Sequence, residues 1–395
     1  MNKADILPFL RRRRERYLIV EFFSGGERAL SFYLSRDRKL IFHKEWQNFS
    51  IPRFVRRRKW LREGGDLSII AVVNDSDAVT VEIPVHLERT KIHGPLSLSE
   101  LENGLRLTVA QAFNEERSAA SRALKASELD TVLIGSRVYG FDADGYSVIS
   151  PVGLPVRRIQ AMVELLFTRR ELYDRLRPLF ERREDVYFTE RGTTLLNALK
   201  NTYIPPYSFV LLNEESSPYF ILTSKDGRYA IERGHLAWRT SRILQTICDS
   251  WKVSYKTAIA IYGRYRNQGL SPKASGYLKR LFKAEEMALL SEFRRTKFEG
   301  PVFVESDLEL PFALTGRRGG RTFKDPPLLA VLAKMGCEID PVLWHVPDHE
   351  LFMRLAPFIE QYHQKDDLPI NRWLRHRLQW LGAPVTKSGE RVGEW

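Results

Sequence analysis

At 395 residues and 43% hydrophobic, the chain is long enough for two sizeable cores and two to four domains, and its 28% charged content excludes a disordered or low-complexity protein. Two cysteines, Cys248 and Cys337, exclude a disulfide framework and cannot form a zinc site by themselves, which suits a reducing compartment. The formal charge of +13 calls for an acidic partner, nucleic acid or the anionic face of a membrane, and two runs concentrate it: Arg11-Arg12-Arg13-Arg14 and Arg56-Arg57-Arg58-Lys59.

In chain order, Tyr17 to Phe23 reads as a buried strand and Ser24-Gly25-Gly26 as its turn. Ala29–Leu34 and Leu40–Trp46 complete a three-stranded meander, and the Val- and Ile-rich runs Leu67–Val73 and Ala78–Leu87 predict two more strands. The texture changes near Arg89. Ser97 or Ser99 caps a helix that continues through Leu101, Leu105 and Val109 toward Phe113. Strands follow at Asp130–Tyr139, Tyr146–Ile149 and Val163–Phe167, then a short helix over Arg170–Phe180.

The second half repeats the theme. Phe209–Leu212 is a strand, and Tyr219–Thr223 and Arg228–Glu232 form a hairpin across Lys225-Asp226-Gly227. A helical pattern runs from Leu236 through Trp238, Ile243, Ile247 and Trp251, and a second starts at Ser254 toward Tyr265. Pro301–Val304 is a late strand and Pro327–Met335 a late apolar helix. No stretch approaches the roughly 20 apolar residues of a spanning helix and the N-terminus lacks a signal-peptide core, so a cytoplasmic protein is expected, peripheral at the inner face of the membrane if it meets lipid.

Several segments carry a resemblance. Lys225-Asp226-Gly227, Gly234-His235, Ser254-Tyr255-Lys256-Thr257-Ala258 running into Tyr262-Gly263-Arg264-Tyr265, and Asp325-Pro326-Pro327 before Leu328–Leu332 stand in the order of matching segments in the FtsA/PilM branch of the actin superfamily. Asp130 to Ile134, Gly145 and Pro151-Val152-Gly153 resemble the extra α/β subdomain of that branch. The resemblance spans residues of roughly 15 to 336. It implies an α/β, actin-like fold: a duplicated ribonuclease-H-like, two-lobed architecture with an inserted subdomain. The expected boundaries are 15–87 and 182–212 for the first lobe, 88–181 for the insertion, 213–336 for the second lobe with its closing helix, and 337–395 for a C-terminal extension.

Actin-fold ATPases hold phosphates in two Gly-rich hairpins, because backbone N–H groups must approach the oxygens closely. By resemblance, the first hairpin falls on Glu21-Phe22-Phe23-Ser24, where Phe23 replaces the glycine, and Gly25 and Gly26 lie one step late. The second falls on Asn213-Glu214-Glu215-Ser216-Ser217-Pro218-Tyr219, with no glycine, two acids and a proline that removes a donor. For the adenosine loop, Glu305-Ser306-Asp307 follows the late strand, and Thr315-Gly316-Arg317-Arg318-Gly319-Gly320 is a second candidate. The nucleotide-binding remnant is thus Glu21, Ser24, Gly25, Gly26, Asn213, Ser216, Ser217 and Gly234, and a pseudo-ATPase is expected, with no catalytic residue or cofactor. ATP with magnesium belongs to the alternative, a weak ATPase whose loops are rebuilt from Gly25, Gly26, Gly316, Gly319 and Gly320.

In the C-terminal extension, residues 370–381 predict an amphipathic helix stopped by Gly382 and Pro384. Ile370, Trp373, Leu374, Leu378, Trp380 and Leu381 share an apolar arc, with Arg372 and Arg375 opposite. Such a helix suits a lipid headgroup layer, as in the C-terminal anchor of FtsA; a helix packed on the protein's own surface is the alternative. Trp344 and Phe352 indicate that part of the extension is folded. The eight histidines show no metal-ligand spacing, and no Walker loop, nucleophile elbow or kinase set appears. The expectation is a scaffold that joins an anionic membrane surface to the proteins of a division or pilus-like assembly and self-associates, with nucleic-acid binding as a rival resting on charge alone.

Overall fold

The structure is a computed structural model that describes residues 15–23, 26–56, 67–89, 94–180, 186–200, 202–225, 228–339, 348–363, 370–371 and 374. The chain divides into two compact units, Met1–Thr194 with Ile339–Val342 and Pro357–Trp395, and Leu195–Glu338 with Leu343–Ala356.

In the first unit the meander forms as expected: β1 (Glu15–Phe23), β2 (Gly26–Leu34) and β3 (Lys39–Trp46) pair antiparallel. A short helix, α1 (Ile51–Arg56), leads toward β4 (Leu67–Val73), which lies parallel to β1 and to the later strand β9 (Val186–Glu190). A two-residue strand, β16 (Glu338–Ile339), borders β3, so the order is β16-β3-β2-β1-β4-β9. The continuous apolar runs of β1 and β4 follow from burial on both faces of a sheet centre. Leu18, Val20 and Phe22 share a core with Phe54 of α1 and with Leu172, Leu176 and Leu179 of α3 (Arg170–Phe180). On the opposite face Tyr17 and Phe32 meet Phe358 edge-on, at ring centroid distances of 4.8 and 5.1 Å; Phe358 belongs to a C-terminal helix, Asp348–His363.

Between β4 and β9 lies a second, four-stranded antiparallel sheet of order β5-β8-β6-β7, made from Ala78–Glu88, Thr131–Ala143, Tyr146–Val148 and Arg158–Arg169 in sequence order. It is covered by α2 (Leu98–Leu124), whose N-terminus is capped by Ser97, with Oγ accepting from the Glu100 N–H. Strand β5 pairs with β8 along its whole length, although residues 78–87 were expected in the first lobe, and α3 packs under β1 and β4.

The second unit has the same plan. β10 (Tyr207–Leu212) pairs antiparallel with β11 (Pro218–Lys225), which pairs antiparallel with β12 (Arg228–His235). On its other side β10 lies parallel to β13 (Val302–Ser306), and β13 parallel to β15 (Arg321–Lys324), edged by β14 (Gly316–Arg318). The order β12-β11-β10-β13-β15 reproduces β3-β2-β1-β4-β9 in sequence rank and in direction. α4 (Arg191–Lys200) leads into this unit. Between β12 and β13 come α5 (Ser241–Trp251), α6 (Tyr255–Arg266) and α7 (Pro272–Arg295), and α8 (Leu328–Lys334) follows the sheet. The helix expected from Leu236 begins only at Ser241, because buried Trp238 precedes it with Nε1 donating to Glu285.

The C-terminal extension requires a correction. Ile370 and Leu374, expected to face lipid, are 3% and 0% exposed and belong to the core formed by Leu101, Leu105, Val138 and Val163. The two helical residues four apart lose more water contact inside this core than a headgroup layer would remove. Arg372, Trp373, Arg375, Leu378, Trp380 and Leu381 lie outside the described residues, as do the run Arg11–Arg14, residues 57–59, and Trp344. Phe352 of the Asp348–His363 helix (α9) is buried. Among the described residues no helix is long and apolar enough to cross a membrane.

Candidate functional site

The first candidate hairpin joins β1 to β2. Phe23 pairs with Gly26; Ser24 and Gly25 lie outside the described residues. Gly26 opens the return strand at φ +138°, a conformation side chains rarely adopt, so its lack of a Cβ serves the turn. Glu21 stands opposite Arg28 and is ion-paired with it, which compensates the acid that a metal would otherwise need.

The second hairpin, between β10 and β11, is closed on itself. The Asn213 N–H donates to the Ser216 carbonyl at 3.0 Å, and the Glu214 N–H donates to Asp307 Oδ2 at 2.9 Å. Asp307 is placed by β13, the parallel neighbour of β10, and its own N–H bonds the Leu212 carbonyl at 3.0 Å. Thr240, just before α5, donates its hydroxyl to Asp307 Oδ1 at 2.9 Å and its N–H to the Asn213 carbonyl at 3.0 Å. The Glu214 carboxylate accepts from the Tyr255 hydroxyl; burial, and then that carboxylate, push the Tyr255 hydroxyl above its ordinary value. Asp307, Thr240 and Tyr255 were not among the expected site residues. Their signal was positional, an acid directly after a strand and polar residues at helix starts.

The structure therefore brings Asn213, Ser216 and Ser217 together in one turn, with Asn213 and Ser217 buried and Glu214 and Glu215 exposed. Both ends of the Asn213 carboxamide and the hydroxyls of Ser216 and Ser217 have no partner among the described residues, a demand that enclosed water or a polar ligand group would meet. Gly234 has a different task. A Cβ there would stand 2.4 Å from the Tyr219 ring, which lies edge-on to Phe298, so the glycine is explained by close strand packing rather than by a phosphate. Gly319 and Gly320, at φ +56° and +82°, make the two-residue turn joining β14 to β15. Asp226 and Gly227 lie outside the described residues, between the paired Lys225 and Arg228.

ATP with magnesium does not fit this second hairpin. Two of the N–H groups that would greet a phosphate are already committed, and Glu214, Glu215 and Asp307 crowd the turn with carboxylates. Two like charges 4 Å apart repel by about 4 kcal/mol at an effective dielectric near 20, more than the ~1 kcal/mol net worth of one hydrogen bond.

A second polar cluster sits in the first unit, at the ends of β4 and β9. Asp75 Oδ1 accepts from the Gly192 N–H at 2.8 Å, and Glu190 Oε2 accepts from the Thr80 N–H at 2.9 Å and the Thr193 hydroxyl at 3.2 Å. Burial raises the Asp75 carboxyl above its ordinary range, against the lowering by Gly192, Glu190 and Arg191. Asp75 Oδ2 is buried and meets no hydrogen-bond donor among the described residues. Nearby, buried Glu360 of α9 accepts from the hydroxyls of Thr189 and Thr194 at 2.9 and 2.7 Å and lies 3.9 Å from Arg137, which also pairs with Glu164. Among the described residues no group of three His, Cys, Asp or Glu side chains could hold a metal ion.

Both candidate hairpins thus occupy one place, between the central strand and its antiparallel neighbour, in two sheets whose five shared strands have the same order and direction and which differ in the sixth, edge strand. The fold is actin-like. No protein-family model matches the chain, and no curated protein does. Among solved structures it is similar to a PilM–PilN type IV pilus biogenesis complex, at 12% identity and a TM-score of 0.45 over 92% of this chain and 99% of that one. It is similar to a protein of actin-like ATPase fold and unknown function from Bacteroides thetaiotaomicron, at 9% identity and a TM-score of 0.36 over 83% and 98% of the two chains. The ethanolamine utilization protein EutJ from Carboxydothermus hydrogenoformans follows at 10% identity and a TM-score of 0.34, over 91% and 96%. The actin-like assignment rests on the strand order and directions given above.

Proposed function

We propose that this actin-like protein is a degenerate FtsA/PilM-like scaffold that does not hydrolyse ATP and that links a membrane surface to a protein assembly of the division or pilus kind. The observation that carries the loss of hydrolysis is the β10–β11 hairpin, where Asp307 and Ser216 consume the backbone donors of Glu214 and Asn213 and the side chains are acidic. The assembly role follows from the resemblance to FtsA and PilM. Titration of the full chain with ATP and magnesium into the millimolar range, with phosphate release followed in parallel, tests the first part. We expect no saturable heat and no turnover; a tight, magnesium-dependent heat with phosphate release overturns it.

One observation favours a second reading, weak nucleotide binding: the unpartnered buried carboxamide of Asn213 with the Ser216 and Ser217 hydroxyls beside it. In that case Asn213→Ala abolishes whatever heat the titration shows. If the groups hold water, the substitution leaves the titration flat.

A further inference from the structure

The second unit carries a surface that neither the scaffold reading nor the resemblance assigns. From residue 250 to 284 the chain runs 35 residues without an acid and contains eight basic side chains. Six of them, Lys252, Lys256, Arg264, Lys273, Lys279 and Arg280, are exposed, and none makes an ion pair among the described residues. The acids that follow on α7 are occupied inward. Glu285 holds Trp238, Arg242 and Thr246; Glu286 holds Lys283 and Arg318; Glu292 holds the Ala237 N–H and Arg295. Acids border this stretch at its N-terminal side, where Asp249, Glu214 and Glu215 are exposed, and the six basic side chains remain outside any ion pair among the described residues.

Apolar side chains stand among these charges. Ile259, three residues after Lys256 on α6, is 51% exposed, and Tyr277 and Met287 of α7 are 37% and 60% exposed. Lysine-rich charge with aliphatic and tyrosine side chains projecting between is the composition of a surface that sits in lipid headgroups. Anionic lipid attracts each basic residue near the surface, and the aliphatic tips gain by leaving water. A nucleic-acid backbone would reward the charge and leave Ile259 and Met287 without a partner.

We propose that α6 and α7 form the docking face of this protein for an anionic lipid bilayer. The proposal deepens the membrane part of the scaffold reading and rests on it. It places the contact on the second unit, whereas Ile370 and Leu374 are buried in a core of the first.

The experiment is sedimentation of the full chain with phosphatidylcholine vesicles and with vesicles containing 30% phosphatidylglycerol, at 50 mM and 500 mM salt. We expect binding to the anionic vesicles alone, at low salt alone. Lys252→Glu/Lys256→Glu/Lys279→Glu weakens it at least about 10-fold, and Ile259→Ser several-fold, with thermal unfolding unchanged. If the wild-type chain binds and the charge-reversed variant binds as well, this face is wrong and the membrane link survives elsewhere. If the wild type ignores anionic vesicles at low salt, both fall. A gel shift on duplex or single-stranded DNA that exceeds vesicle affinity at equal salt, and that the triple variant loses, makes the face a nucleic-acid site and overturns the proposal.

Discussion

The carboxamide of Asn371 clamps Val138: Oδ1 accepts its N–H at 2.7 Å and Nδ2 donates to its carbonyl at 2.8 Å. Val138 sits where β6 slips register against β8, so the ladder leaves this residue's backbone to be satisfied from outside the sheet. A side chain 233 positions away supplies both bonds. Replacing Asn371 by Ala leaves two buried backbone groups unpaired and should cost about 2–4 kcal/mol in urea unfolding. Truncation before Ile370 should destabilise the first unit further, whether or not lipid is present.

The Asp75–Glu190 pair makes stability depend on pH. Burial raises Asp75 above its unfolded value of 3.8, so the folded chain keeps the proton longer than the unfolded one. Its contribution is complete below 3.8 and is lost as pH rises through the raised value. The charged groups facing it are Glu190 and Arg191. Asp75→Asn can still accept from the Gly192 N–H and does not titrate. Melting curves should show the variant a few degrees above wild type at pH 7.5, with the gap closing toward pH 4.

Asp307 holds the β10–β11 hairpin through two hydrogen bonds, to the Glu214 N–H and the Thr240 hydroxyl. Asp307→Ala should destabilise the second unit by about 2–3 kcal/mol and yield no ATPase activity, because Glu214 and Glu215 remain. Chemical denaturation combined with a phosphate-release assay reads both.

Gly234→Ala should be destabilising in the wild-type background and nearly neutral beside Tyr219→Ala, since the three atoms nearest the added Cβ all belong to that side chain. A double-mutant cycle measures the coupling, expected at about 1–2 kcal/mol. Additive effects would mean that Gly234 serves something other than this contact.

Much of the fold was legible because its central strands are continuous apolar runs: Leu18 to Val20, Ile69 to Val73 and Phe209 to Leu212 announce strands buried on both faces. Caps were legible too, and Ser97 and Ser254 accept from the N–H groups of Glu100 and Thr257. The long helix α7 and the β14–β15 hairpin went unread. α7 spreads its buried residues Leu278, Phe282, Leu289 and Phe293 among many charges, and a three-residue strand such as Gly316–Arg318 has no period to detect.

Sequence alone determined the local chemistry: which strands are central, which turns need glycine, and that the two expected phosphate hairpins carry bulky or acidic side chains. Tertiary structure decided what those groups meet. That Asp307 takes the Glu214 N–H, that Glu21 is answered by Arg28, and that Ile370 and Leu374 fill a core depend on residues up to hundreds of positions apart. The apolar face of a helix looks the same in sequence whether a bilayer or a neighbouring sheet removes it from water, and only the fold distinguishes the two.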